Sequence, residues 1–236
     1  MDLHFDSDFW LQAEELLAKS NLYPGRSISF NSPVIGVPLA LFRVVLSLKR
    51  LYQNPSQYDK DTLEGLRSEV EEWEGVVLSE GEIDSPDEYQ NCNPRIYRDA
   101  GYLYILVSSL LMDQISVGDW SPGAPRVAPP DSWQLIKAKE ILRARQDDPE
   151  WARCFIGNWP VYSLGFFLDE PDIELIRADL HYRWQAVKFS QISRFRDDLE
   201  ATWAARGCSC NAPTCPEALT VISAPSLRRA WMDLEG

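Results

Sequence analysis

The chain has 236 residues, 23 Lys+Arg against 36 Asp+Glu, a formal net charge of −13 and 45% hydrophobic residues. This length and balance supply enough apolar surface for a folded core and exclude a disordered tail. The negative charge excludes non-specific nucleic-acid binding, which needs clustered Lys and Arg to displace counterions. It is also uneven, because Asp59 to Glu88 holds twelve acidic and two basic residues and so about −10 of the −13.

Apolar residues recur at spacings of three and four along most of the chain, with no alternating strand pattern and no Asn-Gly hairpin turn. The expected fold is therefore all-α, a single-domain irregular bundle of roughly eight to ten helices. Residues 1–31 are read as an N-terminal helix and linker, 32–206 as the main domain and 207–236 as a tail. Met1 to Asp6 lacks the basic-then-apolar layout of a signal peptide. The first helix start is Ser32-Pro33, a capping oxygen before a proline suited to the first turn. Val34 to Leu51 follows, apolar nearly all round, with Tyr102 to Met112 as its counterpart; both are expected at the centre of the bundle. The run from Val34 to Leu48 contains Pro38 and Arg43 and falls short of the ~20 residues of a membrane span. No membrane partner is expected.

Leu63, Leu66, Val70, Trp73 and Val77 place one apolar stripe on a helix whose other face carries Glu64, Glu71, Glu72 and Glu74, a solvated acidic face. Ser85-Pro86 with Glu88 reads as a further start with a capping box. Gly118 to Pro130 holds four prolines and two glycines, which forces a long non-helical loop. Asp148-Pro149 begins another helix. Two more stripes follow, Ile173, Ile176, Leu180, Trp184 and Val187, then Ile192, Phe195, Leu199 and Trp203. Pro213, Pro216 and Pro225 break the pattern in the tail, before a short last helix expected over Leu227 to Leu234.

Catalytic motifs are scarce. There is no phosphate-cradling Gly-x-x-x-x-Gly-Lys loop, no Gly-x-Gly-x-x-Gly and no His-Glu-x-x-His. Val161-Tyr162-Ser163-Leu164-Gly165 lacks the first glycine of a nucleophile elbow. Of the two histidines, His4 lies near the start and His181 beside an apolar stripe, where it reads as partly buried and structural. Cys208, Cys210 and Cys215 form the one metal-like cluster, but a closed zinc site needs four ligands and these lack Cys-x-x-Cys spacing. With Cys92 and Cys154 they make an odd, scattered set that fits a reducing nuclear or cytosolic compartment. No metal, no cofactor and no enzymatic activity are expected.

Nine Trp, nine Tyr and nine Phe are the more informative excess. Trp159, Tyr162 and Phe166 stand at helical spacing on one segment, Tyr102 and Leu106 on another. Such residues either fill a core or line an apolar cavity between helices, the usual ligand site of an all-α domain. The candidate pocket is Tyr102, Leu106, Trp159, Tyr162 and Phe166, for a small apolar ligand.

The ordered segments Pro33-Val34-Ile35-Gly36-Val37-Pro38-Leu39, Tyr97 to Tyr104, Pro149-Glu150-Trp151, Asn158 to Gly165 and Asp198 to Trp203 resemble the C-terminal regulatory domain of fungal zinc-cluster transcription factors. The resemblance covers roughly Ser32 to Arg206, with Trp159-Pro160 to Gly165 and the closing Glu200-x-x-Trp203 as its better markers. It implies an all-helical nuclear domain that regulates transcription, receives signals and mediates dimerisation or contacts with co-regulators; sterol-responsive members hold an apolar ligand between helices. The family's six-cysteine DNA reader has no counterpart here, since no cysteine precedes Cys92. The chain is expected to be a fragment of a longer factor or a relative without the reader, and not to contact DNA itself. The alternative is a helical adaptor acting only through protein contacts.

Overall fold

The computed structural model describes residues 39–54, 59–80, 94–118, 125–154 and 157–207, with Leu16 alone before them. Among these the chain is 81% helical, with eight helices and no strand. The starts at Ser32-Pro33 and Ser85-Pro86, the cysteines at 208, 210 and 215 and the last helix at 227–234 lie outside the described residues.

Helix α1 spans Leu39–Gln53 and α2 spans Lys60–Glu80. Asp59 caps α2, accepting hydrogen bonds from the Thr62 amide (3.1 Å) and hydroxyl (2.7 Å). The predicted stripe of α2 is buried at Leu63, Leu66, Val70 and Val77, with Trp73 half-buried. Its acidic face is solvated at Glu64, Glu71 and Glu72 but not at Glu74. That carboxylate is half-buried and accepts a hydrogen bond from the Tyr102 hydroxyl (3.1 Å).

Helix α3, Pro94–Val117, is the centre of the molecule. Residues 103–108 are six consecutive buried positions, more than one full turn, so neighbours enclose every face. Helices α1 and α2 pack on it, as do α4 (Trp133–Ala144) and α6 (Asn158–Leu164). By length and composition the helix long and apolar enough to cross a membrane is Arg95–Val117, not the run from Val34 to Leu48. In this fold 67% of its most apolar window is buried inside the bundle. Gly118 ends α3 at φ +72°, a left-handed conformation that glycine adopts without Cβ strain.

Asp148 caps the short α5, Pro149–Arg153, accepting from the amides of Glu150 (2.9 Å) and Trp151 (3.2 Å), with Pro149 in the first turn as its sequence requires. Helix α7, Ile173–Val187, packs on α4, α5 and α6, and α8, Ser190–Gly207, packs on α6 and α7. The stripe of α8 is buried throughout. That of α7 departs from expectation: Ile173, Ile176 and Leu180 are buried, Trp184 is half-buried and Val187 is exposed. The fully buried residue one turn beyond Leu180 is Arg183. His181 is exposed rather than partly buried, because it lies off the 173–176–180–183 face.

Candidate functional site

The predicted pocket residues fall into separate environments. Tyr102 sits on the side of α3 facing α2, and its hydroxyl pKa is pushed up to about 12, first by burial and then by the Glu74 carboxylate. Leu106 is fully buried on α3. The α3 aromatic that meets α6 is Tyr104, whose ring stacks on Trp159 with centroids 5.1 Å apart. Tyr104 lies two residues from Tyr102, about 200° round the helix, so the two face opposite ways. Burial raises the Tyr104 phenol well above its ordinary pKa, and the buried Cys154 thiol adds to the shift.

Tyr162 and Phe166 do come together. Their rings meet edge to face at 5.1 Å, and Tyr162 stacks on Phe195 of α8 at 4.1 Å. The Tyr162 hydroxyl donates a hydrogen bond to the Asp198 carboxylate. Beside it the Trp203 indole N–H donates to the Gly165 carbonyl (2.8 Å). Arg177 of α7 grips Glu200 with both prongs, Nε to Oε1 at 2.6 Å and Nη2 to Oε2 at 2.8 Å, while its guanidinium lies 5.3 Å from the Trp203 ring centroid. That pair holds the Glu200 carboxyl below its ordinary pKa. The seam joining α6, α7 and α8 is thus filled by aromatic rings and closed by ionic hydrogen bonds. Two buried donors one turn apart on α6 have no partner among the described residues: the Trp159 indole N–H, on the ring that stacks on Tyr104 of α3, and the Ser163 hydroxyl.

A second polar cluster, unforeseen from the sequence, lies between α5, α6 and α7. Arg183 is wholly buried and pairs with Asp179 one turn back (2.5 Å), donates to the Cys154 carbonyl (2.8 Å) and Asn158 Oδ1 (3.1 Å), and covers the Trp151 ring at 4.5 Å. Trp151 Nε1 donates to the other Asp179 oxygen (2.7 Å). A Cβ on Gly157 would lie 2.7 Å from Arg183 Nη2, so only glycine lets the guanidinium approach the backbone here. The signal was present in the sequence as an Asp179–Arg183 pair four residues apart with the arginine on the stripe. Arginine on an apolar face reads as polar until a partner on another helix accounts for it.

Among the described residues no three His, Cys, Asp or Glu side chains are grouped so as to hold a metal ion. No family model, curated protein or solved structure matches this chain.

Proposed function

We propose that this chain is a regulatory domain of a fungal zinc-cluster transcription factor, acting in the nucleus through contacts with co-regulators or a second copy of itself, without chemistry and without touching DNA. One observation carries the reading. The two markers on which the resemblance rests, Trp159-Pro160 to Gly165 and Glu200 to Trp203, meet in space through the bond from Trp203 to Gly165 across 38 residues of sequence, with the bond from Tyr162 to Asp198, just before the second marker, beside it. A motif pair shared for structural reasons would sit at such a joint. Regulation then follows from a population shift, in which a partner binds one arrangement of the helices better than another.

Fusing the chain to a foreign DNA-binding domain tests this. The expected result is a reporter response that changes on deleting α8 or on co-expressing a partner; an inert fusion under every such condition overturns the reading.

A small ligand between the helices is the second reading, and the unpartnered Trp159 N–H and Ser163 hydroxyl favour it. Buried donors without acceptors are costly, so a ligand oxygen between them would be stabilising. Native mass spectrometry with solvent extraction separates the two readings, a stoichiometric apolar passenger favouring the ligand and a clean apo mass favouring the partner.

A further inference from the structure

Helix α4 turns one face to the core at Gln134, Leu135, Ala138 and Leu142 and leaves the opposite face uncovered. On that outer face Trp133, Lys137, Glu140 and Ala144 fall within about 60° of one another, at spacings of four, three and four residues. All four are exposed, Trp133 by 49%, and Ile136 at the edge of the row is exposed by 43%. Among the described residues Trp133 and Ile136 are the one pair of exposed large apolar side chains on a single helix. Lys137 and Glu140 form an ion pair of 2.8 Å. The other cations of α4, Lys139 and Arg143, are drawn to Asp172 at 2.8 and 3.6 Å. The outer row therefore carries one charge of each sign, and is neutral in a chain of net charge −13.

Spacings of four and three residues are those by which side chains mesh between two helices. Read in chain order the row is Trp, Lys, Glu, Ala, and it complements its own reverse. In an antiparallel pair about a two-fold axis midway between 137 and 140, Lys137 of each copy meets Glu140 of the other. Trp133 of each then meets Ala144 of the other, a large side chain against a small one. A parallel pair would set lysine on lysine, glutamate on glutamate and tryptophan on tryptophan.

We propose that the outer face of α4 is a self-association surface, on which a second copy of this chain docks antiparallel through Trp133, Lys137, Glu140 and Ala144. This rests on the reading of a second copy as a partner and deepens it by naming the face, but its test reads mass in solution and not transcription, so either can fail without the other. A helix of 12 residues is about 18 Å long, so the contact belongs to the small class of interfaces and association is weak and concentration-dependent.

Sedimentation equilibrium of the full chain is the test, from micromolar to submillimolar protein in about 0.15 M salt, where a screening length of about 8 Å damps the repulsion between two chains of −13. The average mass is expected to rise from 27.0 kDa toward twice that value with concentration. Lys137→Glu gathers four carboxylates at the joint and Glu140→Lys four ammonium groups, so each variant alone should associate about tenfold more weakly or worse. An equimolar mixture of the two variants restores opposite charges in both layers and should associate again, as should the chain carrying both substitutions. Both side chains are exposed, by 53% and 56%, so the variants keep the fold, which circular dichroism checks. A mass of 27.0 kDa at every concentration, a dimer indifferent to either single substitution, or a mixture that stays monomeric overturns the proposal.

Discussion

Replacing Gly165 by alanine probes the joint between α6 and α8 directly. The backbone there is ordinary for any residue (φ −56°, ψ −25°), so the effect is steric and not conformational. The new Cβ would lie 2.7 Å from both Cδ atoms of Leu199, which is 0% exposed, and 3.2 Å from the Tyr162 carbonyl. Ordinary carbon contacts are about 3.5 to 4.0 Å, so the leucine must retreat by roughly 1 Å, and with both methyls in contact it has no rotation that frees one without crowding the other. Overpacking of this kind costs about 1 to 3 kcal/mol. In a domain of this size each kcal/mol lowers Tm by about 2 to 4 °C. Leu199→Ala alone should cost about 2 to 5 kcal/mol by opening a cavity. The double variant places the added methyl in that cavity, so its loss should fall short of the sum of the single losses by about 1 to 3 kcal/mol. Urea unfolding followed by tryptophan fluorescence, with an unchanged m value, measures all three. Losses that add to within about 0.5 kcal/mol would refute the contact and with it the account of how the two marker segments meet.

Arg183→Met should cost about 3 to 5 kcal/mol by leaving the Asp179 carboxylate without its cation, and Asp179→Asn added to it should return part of that loss in urea titrations. Asp148→Ala removes the acceptor for two amides at the start of α5 and should cost about 1 kcal/mol in the same assay. The Glu200 carboxyl has a folded pKa below its ordinary value of 4.5, so the Arg177 pair contributes stability above pH 4.5 that is lost as pH falls through the folded value. Glu200→Gln should therefore flatten the decline in stability below pH 4.5, measured by thermal unfolding across that range. Phe166→Ala should cost about 3 to 5 kcal/mol if the ring, 1% exposed, is core packing; a much smaller loss would mark it as the wall of a cavity.

The sequence by itself determined the all-α character, the stripes of α2 and α8, the cap at Asp148 and the burial of the helix around Tyr102 to Met112. Each depends on interactions within one or two turns, such as a side chain capping an amide two or three residues on, or apolar residues repeating with the helical period. The same locality explains where it was blind. Whether Tyr102 or Tyr104 meets α6 is a matter of 200° around α3 and of which helix lies there. Whether position 183 or 184 of α7 is buried depended on Cys154, Asn158 and Trp151 being present to receive a guanidinium, and these come from segments 25 to 29 residues away where hydrogen bonds are made. Most remote of all is the end of the Pro-rich loop, where Arg206 reaches back 81 residues to the Pro125 carbonyl. No periodicity encodes such a contact, because it joins a side chain to backbone carbonyls that any residue would present. Tertiary structure alone brings the end of α8, the turn after α6 and the end of the Pro-rich loop to one place.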